Sequence, residues 1–282
     1  MRISHKFAIV LALLGAGATL ARADRTRDVI VYSYVTDAGK KLIPPTPDHP
    51  ATYLLIPGGY REEGEKIAGE KPPSPDKINQ FVRNALAAAN YRGVNAKALG
   101  ALNGEFTKNF PAGYNPAKDD SKALDYIIAY HWGYMNPEVV DLGSDLSDES
   151  QAANRLVFNQ PQMIALVAGA SIDRLTPGFS DYNNIIQATE QNRYFVVISA
   201  FSPAAYLNHR VKKLLWRAQM SLDSSGTTQE ESMPALVSAS VPYLGRATDI
   251  PRQINESLDR PSQVIMGAPE VKEYLPGGAK NN

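Results

Sequence analysis

Residues Tyr126–Met135 read YIIAYHWGYM, and the way this run divides between two faces decides the fold. Side chains alternate across a strand. One face therefore carries Tyr126, Ile128, Tyr130, Trp132 and Tyr134, and the other Ile127, Ala129, His131, Gly133 and Met135. Neither face is polar. A strand apolar on both sides belongs in the middle of a sheet with cover above and below, so a layered protein with helices on a sheet is expected.

Four further runs have strand character. Residues 29–35 (VIVYSYV) and 194–201 (YFVVISAF) are β-branched and aromatic. Residues 53–56 (YLLI) make a short buried strand that Pro57-Gly58-Gly59 is expected to stop. In residues 212–221, Leu214, Trp216, Ala218 and Met220 point inward while Lys213, Arg217 and Gln219 point outward. The short connection after 194–201 predicts an antiparallel hairpin between the last two. The clearest helix covers residues 75–90, with Ser74 as its cap, Pro75 in its first turn and Gly93 as its stop. Ile78, Phe81, Val82, Ala85, Leu86 and Ala89 form its single apolar stripe. A short helix is expected over residues 161–169. The last one opens at Thr227 or Thr228, where Glu230 and Glu231 complete possible capping boxes. Residues 42–50 and 100–122 read as loops, as does the stretch through Pro177-Gly178. The expected fold class is α+β (mixed α/β): a twisted mixed sheet of about five strands with helices packed on it, forming a single domain over residues 24–246. Residues 247–282 read as a polar, proline-containing arm with one short strand at 263–266.

Residues 1–23 have the anatomy of a cleaved secretory signal. Arg2, His5 and Lys6 precede an apolar run, and Ala21-Arg22-Ala23 supplies a small-x-small site before Asp24. The expected address is periplasmic or secreted. The chain has no cysteine, which excludes a thiol nucleophile, a thiolate metal site and a lipidated cysteine. Removal of residues 1–23 leaves 26 basic and 29 acidic residues. That balance argues against a nucleic-acid partner, and no later run is apolar enough for a transmembrane span.

The residue types that carry chemistry are sparse. Ser74-Pro75-Asp76-Lys77 matches the S-x-x-K pattern of a nucleophile and its base, but no K-T-G or S-D-N companion occurs, so Ser74 reads as a cap and Lys77 as a surface residue. Gly169-Ala170-Ser171 lacks the strand-turn-helix setting of a nucleophile elbow. His49, His131 and His209 show no metal-ligand spacing. Among them His131, between Tyr130 and Trp132, and His209 are the two to locate in the fold. Asp141, Asp145, Asp148 and Glu149 lack a calcium-loop pattern, and the amides of Pro57-Gly58-Gly59-Tyr60 fit no phosphate-binding fingerprint. The aromatic face of 126–134 suits either a core or a stacking surface for a glycan or peptide, and core is the simpler reading. No cofactor and no metal are expected.

Tyr53-Leu54-Leu55-Ile56-Pro57, the helix over 75–90, Asp125-Tyr126-Ile127-Ile128 and Lys213-Leu214-Leu215-Trp216-Arg217-Ala218 occur in an order that resembles a family of uncharacterised bacterial envelope proteins, many of them lipoproteins. The likeness spans about residues 29–245. It implies an envelope setting and carries over no activity. The chain departs from that pattern in having no lipobox cysteine and a longer middle, residues 136–193. The expectation is a non-catalytic binding or structural component whose partner is a protein, glycan or lipid of the envelope. The alternative is an envelope hydrolase assembled from distant loops, for which His131 or His209 would need a carboxylate within reach in one pocket.

Overall fold

A computed structural model describes residues 25–64, 71–94, 124–141, 155–157, 159–174, 180–209 and 211–258. The signal-like segment 1–23 with its Ala21, Ala23 and Asp24 site, the loop 100–122, the acidic residues 145–149 and the strand expected at 263–266 lie outside them.

The described strands are β1 (Thr26–Val35), β2 (Ala51–Glu63), β3 (Tyr91–Gly93), β4 (Tyr126–Met135), β5 (Val139–Asp141), β6 (Arg155–Val157), β7 (Arg193–Phe201), β8 (Leu214–Asp223) and β9 (Arg252–Ser257). The helices are α1 (Pro75–Ala88), α2 (Gln160–Val167), α3 (Ser180–Thr189), α4 (Pro203–His209) and α5 (Gln229–Ser240). Seven strands form one sheet in the order β3-β2-β4-β7-β8-β1-β9, while β5 and β6 pair separately. β3, β2 and β4 run parallel, and every later neighbour is antiparallel. The mixed α/β architecture is thus as expected, but the sheet has seven strands instead of about five. The five expected strands are its contiguous centre. Among the described residues β3 and β9 are its edges, too short or too polar to give a periodic signal.

On one face, α1 and α5 cover an aromatic core. Tyr126, Ile128, Tyr130, Trp132 and Tyr134 of β4 are all buried there with Trp216, Ala218 and Met220 of β8. Tyr91 meets the rings of Tyr126 at 5.6 Å and Trp216 at 5.8 Å. The aromatic face is core, not a stacking surface. α1 contributes Ile78, Val82, Ala85 and Leu86, as its stripe predicts. It is left at Asn90, whose φ of 64° makes it the left-handed turn residue that was expected at Gly93; Gly93 lies in β3.

β2 supplies the main correction. Pro57-Gly58-Gly59 does not stop the strand. Pro57 pairs with Tyr130 and Tyr60 with Trp132, so Gly58 and Gly59 together oppose His131 in a bulge, and the strand continues to Glu63. The single extra residue reverses the alternation beyond it. Tyr60 consequently packs on Trp132 and Tyr134 in the core, while Arg61 and Glu63 move to the opposite face beside Gly133 and Met135. Two smaller corrections follow. β7 and β8 do form the expected hairpin, but its connection folds into α4. The segment beyond residue 247, read as a peripheral arm, supplies β9, and Thr248 exchanges hydrogen bonds with the Ser33 backbone.

The helix starts separate cleanly. Thr228 Oγ1 accepts from the Glu231 amide at 3.3 Å, and the Glu231 carboxylate accepts from the Thr228 amide at 3.1 Å, completing a capping box on α5. The bond from the Thr228 amide, helped by one from the Arg25 guanidinium, holds the Glu231 carboxyl below its ordinary pKa. Ser74 stands at the N-cap of α1, but its side chain makes no capping bond. Thr228→Ala is expected to cost about 1 kcal/mol and Ser74→Ala only a few tenths. Urea midpoints of the two variants check this, and equal losses would refute the distinction.

Candidate functional site

The second face of the sheet is covered only in part. α2 and α3 lie over β8 and β1, burying Val167, Ala168, Ile185 and Ala188 against Ile30 in one cluster and Met163 and Leu166 against Met135, Phe195 and Val197 in another. A cleft of about 690 Å³ opens beside α2. Its floor follows from strand register. His131 stands beside Val197, Val197 beside Gln219, and Gln219 beside Tyr32 in one row across β4, β7, β8 and β1. The adjacent row sets Ser199 beside Arg217 and Arg217 beside Tyr34. The bulge in β2 brings in Arg61 and Glu63, and Arg174 reaches the cleft from the turn after α2.

Several of these groups are fixed. Arg217 Nε donates to Ser199 Oγ at 2.9 Å, which orients the guanidinium along the floor. Gln219 Nε2 donates to the Ala165 carbonyl at 3.0 Å and ties α2 to the sheet. Tyr32 and Tyr34 stack at 6.1 Å with 29° between their planes. Burial holds the Tyr32 phenol above its ordinary pKa, against the pull of Arg174. The imidazole of His131 meets the Phe195 ring edge-on at 6.0 Å. Burial, reinforced by the charges of Arg61 and Arg217, pushes its pKa down to about 4, so it is neutral at physiological pH.

The remaining sequence candidates do not converge on this cleft. His209 is exposed at the end of α4. Ser74 and Lys77 belong to α1 on the other face of the sheet, and Lys77 is ion-paired with Glu230 of α5. His49 lies in an exposed turn. Ser171 Oγ donates to the Ala168 carbonyl, closing the turn after α2. Among the described residues, no group of three or more His, Asp or Glu side chains is placed to hold a metal ion. No helix among them is long and apolar enough to cross a membrane.

Sequence reasoning singled out His131 but missed Arg61, Glu63, Arg217 and Gln219. The available signal was the polar alternate of 214–223, Arg217 followed by Gln219. It was read as solvent-facing, whereas it is a cleft floor.

A second cavity, of about 490 Å³, lies between α3 and the β1–β9 edge. Its buried Arg193 donates to Ser221 Oγ at 3.0 Å, to the Ser221 carbonyl at 3.1 Å and to Gln191 Oε1 at 3.2 Å. Burial lowers its pKa to about 10, while Asp223 opposes that shift. Asp28 accepts from Asn255 and Asp223 from the Ser225 amide. These bonds tie Arg193, Asp28 and Asp223 into the structure around the cavity.

Comparison with protein-family models and with curated protein sequences finds no match. Among solved structures, a PDZ domain protein from Parabacteroides distasonis is similar at 9% identity and a TM-score of 0.35, over 82% of this chain and 39% of that one. A PelC dodecamer from Paraburkholderia phytofirmans is similar at 8% identity and a TM-score of 0.30, over 78% of this chain and 98% of that one. Likeness at this level supports no statement about activity.

Proposed function

We propose that this chain is an exported binding protein of the bacterial envelope, without catalytic activity of its own, that holds an anionic ligand in the His131 cleft. The export reading rests on the basic, apolar and small-x-small order of residues 1–23. The ligand reading rests on one observation: among the described residues, Arg61, Arg174 and Arg217 line the cleft against a single carboxylate, Glu63. Guanidinium groups take carboxylate or phosphate oxygens through paired, charge-assisted hydrogen bonds. Arg217 is already aimed by Ser199, which lowers the ordering cost of such a contact. Tyr32, Tyr34 and Phe195 supply ring faces and edges beside the charge.

Titration of the chain from Asp24 onward with sulfate, glucuronate and glucose tests the proposal. Both anions are expected to bind and glucose not to. Arg217→Gln is expected to weaken anion binding about tenfold, the loss of one charge-assisted contact. Equal affinity for glucose, or no effect of the substitution, would refute it.

A hydrolytic reading draws on His131 and Glu63 sharing one cleft. Two features weigh against it. An imidazole with a pKa of about 4 is a weak general base at neutral pH. The Ser199 hydroxyl, in the adjacent row of the sheet, is engaged as the acceptor of a hydrogen bond from Arg217. Hydrolysis of an ester, peptide or glycoside that His131→Gln abolishes would establish catalysis instead.

A further inference from the structure

The described surface exposes three large apolar side chains, Ile43 at 85%, Val211 at 54% and Leu42 at 40%, and all three lie at one end of the sheet. Their proximity follows from backbone contacts. After β1, Thr36 donates its amide to the Leu215 carbonyl at 2.9 Å and its hydroxyl to the Leu214 carbonyl at 2.9 Å. Gly39 lies so close to Leu215 that an added methyl would overlap its carbonyl. The Leu42 amide then donates to the Gly39 carbonyl at 3.0 Å. The turn carrying Leu42 and Ile43 is therefore fastened to the start of β8, and Val211 sits just ahead of that start. Lysines flank both segments: Lys40 and Lys41 on one, Lys212 and Lys213 on the other. The acid nearest in sequence, Asp37, is paired with Lys40 at 3.0 Å.

We infer that this end of the sheet docks on an anionic lipid bilayer. Exposure and charge together favour a bilayer over a protein partner. Ile43 stands 85% exposed and is followed by Pro44 and Pro45, which stiffen the turn that presents it, and lysines accompany both apolar segments. Such side chains enter the layer between headgroups and acyl chains, while ammonium groups around them meet lipid phosphates. The surface is separate from the His131 cleft, whose lining includes none of these residues.

Sedimentation with vesicles tests the inference. The chain from Asp24 onward is used, because residues 7–14 are apolar enough to bind lipid themselves. It is expected to pellet with vesicles containing phosphatidylglycerol and far less with phosphatidylcholine alone, and to be released by high salt. An Ile43→Ser/Val211→Ser variant is expected to bind about tenfold more weakly. A Lys41→Glu/Lys213→Glu variant is expected to lose the preference for phosphatidylglycerol. All four side chains are exposed, so unchanged melting curves are expected to accompany both results. Arg217→Gln is expected to leave vesicle binding intact, which keeps this test independent of the cleft. No preference for phosphatidylglycerol, or undiminished binding by both variants, would overturn the inference. So would concentration-dependent self-association of the parent chain that the apolar variant abolishes, since a second copy would then cover the patch.

Discussion

Gly133→Ala is expected to lower stability by about 3 kcal/mol or more, enough to deplete the folded chain in most expression hosts. Gly133 lies mid-strand in β4, between Arg61 of β2 and Phe195 of β7. A methyl group added there would overlap the Arg61 carbonyl and lie 2.7 Å from its carbonyl carbon. The obstacle is backbone in a parallel ladder with strands on both sides, so neither partner can swing aside. Glycine-to-alanine changes at compatible sites stabilise by about 0.4–1 kcal/mol through the unfolded chain, which makes this sign reversal diagnostic. Gly59→Ala gives the contrast. Its φ of 84° strains any side chain, yet nothing lies within 4 Å of the added carbon, so a loss of about 1–2 kcal/mol is expected. Urea denaturation of the two variants measures the gap, and a Gly133→Ala midpoint at or above the parent's would contradict the close approach of β2 and β4.

Acidification is expected to destabilise the protein through His131. The folded-state pKa is about 4, and the ordinary value is 6.5. Between these values the unfolded chain takes up a proton that the folded chain refuses. The contribution is therefore fully present above pH 6.5 and is lost progressively as the pH falls to about 4, amounting to about 3 kcal/mol at the acid end. His131→Gln removes the titrating group and should flatten this part of the profile relative to the parent. Carboxyls titrate lower and in both proteins, so the difference between the two curves isolates the imidazole. Anion binding adds a second readout. A sulfate ion beside His131 offsets the charges of Arg61 and Arg217, so its binding is expected to take up a proton near pH 5 and to tighten on acidification. Parallel stability profiles for parent and variant would show that His131 is not held neutral by its surroundings.

The parts of this fold legible in the sequence are those where one signal acts alone. β4 and β7 are apolar on both faces, and their central place follows. Thr228 and Glu231 announced the start of α5 with a motif that has one geometry. The edges were silent for a physical reason: β3 is three residues long, and β9, an edge among the described strands, carries the polar residues Arg252, Gln253, Asn255 and Glu256. α3 was hidden behind Pro177-Gly178, with Ile185 and Ala188 as its buried positions. Of the cleft, only His131 stood out, because a titratable ring between two aromatic residues is conspicuous in one dimension. Arg61, Arg217 and Gln219 become conspicuous only when four strands are laid side by side, and hydrophobic patterning treats any alternate polar residue as solvent-facing.

The bulge at Gly58-Gly59 has a meaning for how such a chain can change over generations. Each residue beyond it keeps its face because the bulge absorbs one residue. Loss of one glycine codon there would give a regular ladder with Tyr60 still opposite Trp132 and Arg61 and Glu63 still on the cleft face, whereas pairing both glycines flat in the ladder would send Arg61 and Glu63 into the aromatic core and turn Tyr60 to the cleft. Point substitutions can retune the charge of this site by degrees. A register slip that flattened the bulge without shortening the chain would remove half of it at a stroke, so the two-against-one pairing of Gly58 and Gly59 with His131 is the inheritance on which the site depends.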